Sequence, residues 1–473
     1  MQKNKKIIHI LVVMSILFLS IVAYLTYFEL FMKEEVVANS YNQRLREQDE
    51  NVIRGTIYDR NMIVLAESRL EGENQERIYP YKNLYSHIIG YSSLVYGKSF
   101  IEARYNQHLI GATGLSSVFN LGNQLTGTAK KGNDVHLTID HPLQVKAEKL
   151  IAGKKGAIVV MNPATGEILA MVSKPDYNPE SEALEQNWKQ TVESKEYPLL
   201  ARATQGMYVP GSTYKTVISA AAIEKGMEDR VFDDKGVIVI DGKEIRNMNS
   251  TAYGRISLGR ALAVSSNTVF SRIGVELGEE SLKNIAERFG FNKKIPFDIP
   301  VSQSVFPYDK MSKTDMAAVG MGQGKLLVTP LHMAMIASSI ANDGVMMKPI
   351  LVSSITSPLG NVIYTNKPEE LYRTMSYETS RKLTEMMLEA VNNGTGVNAR
   401  ISGINVAGKT GTAENERTVK GDGSEHAWFI GFAPVEEPQV AVAVIIEYSG
   451  SSGGKEAAPI ARELIKEWLS KNK

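Results

Sequence analysis

GAIVVMNPATGEILAMVSK, Gly156 to Lys174, is two apolar runs folded about a turn. Asn162-Pro163-Ala164-Thr165-Gly166 gathers residues that favour tight reversals, so the stretch predicts a β-hairpin. Just upstream, LTIDHPLQVKAEKL predicts a strand leading into an amphipathic helix, and from Ser212 to about Asn393 helical patterns dominate. Strands return at INVAGKTGTAE, HAWFIGFAP and QVAVAVIIEY, before a last amphipathic helix, APIARELIKEWLSK. Two strands early and three late, bracketing a helical block, predict one antiparallel sheet with helices on its faces, an α+β fold. There is no internal repeat.

The other end of the chain differs. Lys3, Lys5 and Lys6 precede a run that is apolar from about Ile7 to Phe31 and is followed by Lys33-Glu34-Glu35. That is long enough to cross a bilayer once, and it lacks the short core and small-residue cleavage site of a signal peptide. The expected arrangement is a retained anchor over 1–33 with a cytoplasmic N-terminus, and everything beyond it extracytoplasmic. Residues 34–140 read as a small mixed α/β domain: EEVVANSYNQRLREQDEN as a polar helix, RGTIYDRNMIVLAES as a hairpin turning at Asp59-Arg60-Asn61, and short elements after it. Arg54, Asp59 and Arg60 are expected to form a salt-bridged structural corner. Residues 141–473 form the main domain.

Among 473 residues, 53 Lys and Arg balance 52 Asp and Glu, and no basic run occurs beyond the N-terminus, so nothing points to nucleic acid. The absence of cysteine excludes disulfides, thiol catalysis and the usual zinc sites. The seven histidines lack metal spacing, and His136 and His141 are expected to be structural.

VPGSTYKTVISAAAIEKG, Val209 to Gly226, predicts a helix buried nearly all round, with Ser212 at its start and Gly226 as terminator. Ser212 and Lys215 share a face of the first turn, where a charged lysine is costly to bury. Two readings follow: a capping serine with a lysine that snorkels to water, or a nucleophile beside its base. Ser-x-x-Lys also occurs at Ser452/Lys455, in the glycine-rich SGSSGGK expected to be a loop, and at Ser470/Lys473, the terminal residues. Ser265-Ser266-Asn267 is matched in pattern at Ser40 and Ser470, whereas Lys409-Thr410-Gly411 occurs once, within a late strand. The order of the three motifs, each in suitable local structure, carries more weight than any one of them.

With these motifs in place, the sequence resembles a class B penicillin-binding protein, a membrane-anchored transpeptidase, over nearly its whole length. RGTIYDRN, VHLTIDHPLQ, NPATGEILAMVSKPDYNP, RATQGMYVPGSTYK, AVGMGQGKLLVTPLHMA and HAWFIGFAP are similar to family segments. The short N-terminal body looks like that of small actinobacterial and clostridial-type members. Met62 stands where the family usually has glycine, and Val209 where it often has proline. The resemblance implies a penicillin-binding, serine β-lactamase-like domain: a five-stranded antiparallel sheet flanked by helices, plus an all-α region.

It also implies an acyl-enzyme on Ser212, formed from a D-Ala-D-Ala stem peptide and passed to an amine acceptor, with β-lactams as inhibitors and no cofactor or metal. In that chemistry Lys215 is the base, its ammonium form disfavoured by burial and by Lys409. Ser265 relays a proton to the leaving amine and Asn267 holds the donor's amide. Lys409 stays charged and, with the hydroxyls of Thr410 and Thr412, binds the terminal carboxylate. Gly411 lets an extended peptide approach the strand edge. The backbone N–H groups of Ser212 and Thr412 form the oxyanion hole. A membrane glycan polymerase of the shape-elongation-division-sporulation family is the expected partner. A serine β-lactamase, a D,D-carboxypeptidase, a penicillin sensor and an inactive divisome or elongasome scaffold remain as alternatives.

Overall fold

The computed structural model describes residues 2–28, 52–71, 74–112, 130–307, 309–419 and 424–471. The polar helix expected over residues 34–51 lies outside them. The N-terminal helix, Gln2–Tyr27, contains a 20-residue apolar stretch, Ile8–Tyr27, with no residue buried. At 1.5 Å rise per residue it spans about 30 Å, the thickness of a bilayer's hydrocarbon core.

The central sheet has five antiparallel strands: β1 (Gly156–Met161), β2 (Ile168–Lys174), β3 (Ala407–Ala413), β4 (His426–Ala433) and β5 (Val440–Ile446), in the order β2-β1-β5-β4-β3. The β1–β2 turn forms as its residues predict, with the Asn162 side chain accepting from the N–H groups of Ala164 and Thr165. Alternate side chains feed two separate cores. Val159, Ala443, Ile445, Trp428 and Ile430 face one, and Ile158, Val160, Val442, Val444 and Phe429 face the other. Burial on both faces is why these strands read as unbroken apolar runs.

The helices that flank the sheet and shape the site include α1 (Lys215–Glu224), α2 (Asn267–Arg288), which packs on α1, α3 (Pro330–Ala341), α4 (Tyr377–Asn393) and α5 (Gly453–Lys471). α3 lies on β5, β4 and β1 from one core, and α5 covers β4 and β5 from the other. α4 packs beside β3, leaving that edge strand next to the start of α1. α1 is buried from Lys215 to Ile223, and Gly226 terminates it at φ 69°, as expected.

The stretch from Ser212 to Asn393 is less uniformly helical than its pattern suggests. Val237–Ile240 and Lys243–Arg246 form a hairpin, and Val352–Thr356 and Val362–Thr365 join a second sheet of six strands. In that sheet they continue Asp134–Leu137, Ile57–Tyr58, Val64–Glu71 and Asn74–Ile78. Each of the two pairs is a local hairpin, but the pairing of Val352–Thr356 with Asp134–Leu137 is distant in sequence and has no local signal.

The expected hairpin at Asp59 is present: the Asp59 carboxylate accepts from the N–H groups of Asn61 (2.8 Å) and Ile63 (2.7 Å). Met62 takes φ 65° there, the left-handed region that suits the glycine usual in the family. Arg54 is tied to buried Glu102 at 2.6 Å and Arg60 lies 3.5 Å from Glu167, so both are structural. His136 bonds Thr356 and His141 bonds Tyr85, also as structural groups.

Candidate active site

Ser212 lies in a 3-10 turn, Gly211–Tyr214, that runs directly into α1. The cap positions of this turn and of α1 fall on Pro210 and Tyr214, so Ser212 lies inside the turn and is not a simple N-cap. Several contacts fix the turn. Gly211 N–H donates to Gly322 O (2.9 Å), Thr213 Oγ1 donates to Pro210 O (2.6 Å), and Trp428 Nε1 donates to Val209 O (3.2 Å). Two glycines let β3 come against it. A Cβ on Gly211 would stand 2.8 Å from Thr412 O, and one on Gly411 would stand 3.0 Å from both Thr213 Cγ2 and Trp428 Cβ. Gly411 is therefore required by packing against the Ser212 turn as well as by any peptide at the edge.

Lys215 does not snorkel; it is fully buried. Its Nζ donates to Ser265 O (2.9 Å) and Asn267 Oδ1 (2.8 Å) and lies 3.3 Å from Ser265 Oγ. Burial first, and then the charge of Lys409, hold its amine well below the ordinary lysine range, with Asp234 pulling the other way. A neutral amine has two protons, which these two acceptors use, and one lone pair free to take a proton. Lys409, also fully buried, donates from Nζ to Ser265 Oγ (3.0 Å) and to Thr410 O (2.8 Å). Burial lowers it to about 7, so at neutral pH it sits near its midpoint rather than firmly charged; an arriving carboxylate would favour the charged form.

Ser212, Ser265, Asn267, Thr410 and Thr412 line one cleft of about 990 Å³, with Lys215 and Lys409 behind them. The three motifs, far apart in sequence, thus meet. Thr410 differs from expectation in one respect: its hydroxyl already pairs with that of Thr395 at 2.6 Å. Thr412 presents its carbonyl to the Gly211 turn, and in an extended residue the N–H points the same way, toward Ser212. The second Ser-x-x-Lys match is not in a loop. α5 begins at Gly453, so Lys455 occupies its first turn, and Ser452 and Lys455 line the same cleft. Ser470 sits exposed at the far end of α5.

Thr395, Asp234 and Asn247 are site neighbours that no sequence motif marks. The hairpin that carries Asn247 into place did have a signal: Asp241-Gly242, both at positive φ, is a two-residue turn directly after the apolar run Val237–Ile240.

A serine at the head of a buried helix, a buried lysine one turn on and a second lysine on an edge strand define a serine acyltransferase of the penicillin-recognising kind. Residues 156–466 match the penicillin binding protein transpeptidase domain and residues 54–135 the penicillin binding protein A dimerisation domain; the chain belongs to the penicillin-binding protein transpeptidase family. It is 31% identical to the peptidoglycan D,D-transpeptidase PbpA of Mycolicibacterium smegmatis, over 98% of each chain. It is 32% identical to PbpA of Mycobacterium tuberculosis, over 92% of this chain and 93% of that one. The solved structure of penicillin-binding protein A from M. tuberculosis, as a ceftriaxone acyl-enzyme complex, superposes with a TM-score of 0.84 at 31% identity, covering 89% of this chain and 99% of that one.

Proposed function

We propose that this protein is a peptidoglycan D,D-transpeptidase that cross-links stem peptides through an acyl-enzyme on Ser212. The observation that carries the reading is the line of contacts from Lys409 through Ser265 Oγ to Lys215, beside the Ser212 turn. Ser212 Oγ attacks the carbonyl of the penultimate D-Ala as its proton passes to the neutral Lys215 amine. The N–H groups of Ser212 and Thr412 hold the oxyanion. As the C–N bond breaks, the Ser265 hydroxyl hands a proton to the leaving D-Ala amine and is resupplied from Lys215. An acceptor amine then attacks the ester, losing its proton to Lys215, and Ser212 is released with its hydroxyl restored. Asn267 holds the donor amide, and Lys409, with Thr412 and the Thr410–Thr395 hydroxyl pair, receives the carboxylate. One amide forms for each one broken.

The Ile8–Tyr27 helix supports a single membrane span, with the catalytic domain extracytoplasmic and Lys3, Lys5 and Lys6 on the cytoplasmic side. A glycan polymerase of the shape-elongation-division-sporulation family, met through the span and the N-terminal body, would supply the strands to be joined. Residues 34–140 would serve as pedestal and 141–473 as catalytic domain.

Intact-protein mass spectrometry after exposure to penicillin G tests the reading. The expected result is one penicillin per chain, lost on Ser212→Ala and retained for many minutes, because the tethered leaving amine blocks the acceptor's path. Rapid steady hydrolysis of free penicillin with little adduct would overturn it in favour of a β-lactamase.

A further inference from the structure

Behind the Ser265–Asn267 turn lies a polar cluster that the reaction steps above do not use. Asp234, 1% exposed, ends the strand Val231–Asp234. Its carboxylate accepts from four groups: the N–H of Gly236 (2.8 Å), Nδ2 of Asn247 (2.8 and 2.9 Å), Oγ of Ser266 (2.6 Å) and Oγ1 of Thr268 (2.9 Å). Asn247 carries the connection forward, its Oδ1 accepting from the N–H groups of Asn267 (2.8 Å) and Thr268 (3.1 Å). Ser266 in turn caps α2 by accepting from Val269 N–H. Three consecutive residues after Ser265 are therefore anchored to one buried carboxylate. Ser265 itself holds φ 60°, a conformation that sterics disfavour for any residue with a Cβ. Its neighbours must hold it there.

We propose that Asp234 and Asn247 are a positioning pair that fixes Ser265 and Asn267 against the Lys215 amine and so sets the rate of acylation at Ser212. The inference rests on the functional reading above. Asp234 touches no substrate; it acts through the turn it holds and through its charge. Lys409 and Asp234 are the charged groups that act on Lys215, one lowering its proton affinity and the other raising it. The donor and acceptor pattern permits one orientation only. Asn247 must turn its Oδ1 to the α2 amides, which leaves its Nδ2 for Asp234; an amide at position 234 would set two NH2 groups against each other.

The test is the rate of acylation by a fluorescent penicillin, followed against pH in the full chain. For Asp234→Asn the expected rate is roughly ten- to a hundredfold lower, the cost of an unpaired buried donor. The acid limb of the profile should move to lower pH, since the charge that raised Lys215 is gone. The exchanged pair, D234N with N247D, restores a donor facing an acceptor across the pair and keeps one negative charge. It also sets the new carboxylate against Thr251 O, which Asn247 Nδ2 meets at 2.9 Å, so it should recover part of the rate and bring the limb back up. A D234N protein that acylates like the unaltered one, with the same acid limb, overturns the proposal; so does an exchanged pair that is folded but no faster than D234N and keeps its lowered acid limb. If D234N does not fold, Thr268→Val deletes that hydroxyl's bonds to Asp234 and Ser266 without burying a new donor. A severalfold slower rate at unchanged melting temperature then supports the pair, and an unchanged rate overturns it. If the unaltered protein takes no penicillin, the functional reading fails instead, and the pair is judged by whether the Lys215 amine titrates lower in D234N by NMR.

Discussion

Lys215 and Lys409 hold the hydroxyl of Ser265 between their amines, at 3.3 and 3.0 Å. Two lysines of the same chemistry thus share one serine. They differ in what they lie beside: Lys215 opens the helix behind Ser212, and Lys409 rises from the edge strand.

Removing either lysine should therefore have a different effect. On the proposed reaction, Lys215→Ala leaves Ser212 without a base and should stop acylation, while Lys409→Ala loses a charge-assisted contact to the carboxylate. Such a contact is worth about 1.5–3 kcal/mol, so acylation should slow roughly ten- to a hundredfold. Stopped-flow acylation by a chromogenic cephalosporin measures both. Near-normal labelling of Lys215→Ala would remove it as the base.

The two amines also predict a bell-shaped pH profile. Lys215 must be neutral to accept a proton, so the rate falls as pH drops through its lowered pKa. Lys409 must be charged to hold a carboxylate, so the rate falls again as pH rises through about 7 in the free enzyme. Lys409→Arg should move the alkaline limb out of range, because a guanidinium does not titrate there. An alkaline limb left in place by that substitution would assign it to another group.

Gly411→Ala places a Cβ 3.0 Å from Thr213 Cγ2 and Trp428 Cβ, both in tightly packed surroundings. Overpacking of this kind costs about 1–3 kcal/mol and should push β3 away from the Ser212 turn. The expected outcome is a fall in acylation rate larger than the fall in thermal stability, measured by calorimetry and penicillin labelling on the same samples. Equal losses would mean that the glycine serves packing alone.

A chain beginning near Glu34, without the apolar helix, should be soluble and still label with penicillin, because no residue of the Ile8–Tyr27 helix is buried against the rest. Labelling that depends on the helix would contradict this division of labour.

The central sheet was legible because its strands are short, strongly apolar and punctuated by turn residues such as Asn162 to Gly166. The three motifs that meet in the cleft, Ser212/Lys215, Ser265/Asn267 and Lys409–Gly411, were legible because each is held within a few neighbouring residues of one turn, helix start or strand. What stayed hidden was set by distant contacts. Nothing local announces that Val352–Thr356 pairs with Asp134–Leu137, or that Asp234 answers to Ser266 and Thr268. The hydroxyl of Thr395 meets Thr410 only after α4 has packed beside β3. Ser452 and Lys455 read as loop residues because of the glycines around and between them, yet Gly453 and Gly454 are small so that α5 can start against Trp428 O and Thr395 O.

The six-stranded sheet has a further consequence, for synthesis. His136 meets Thr356 across 220 residues, and β1 waits for β5 at the far end of the chain. A ribosome making this protein releases the early strands of both sheets, each with one partner nearby (Ile57–Tyr58 for Asp134–Leu137, β2 for β1), long before the second partner exists. During that interval Asp134–Leu137 and Gly156–Met161 each present one unpaired backbone edge and, in the second case, wholly apolar side chains. Nascent chains stalled before residue 352 should therefore require a holding chaperone, and only chains that have passed residue 446 can close both sheets and release it.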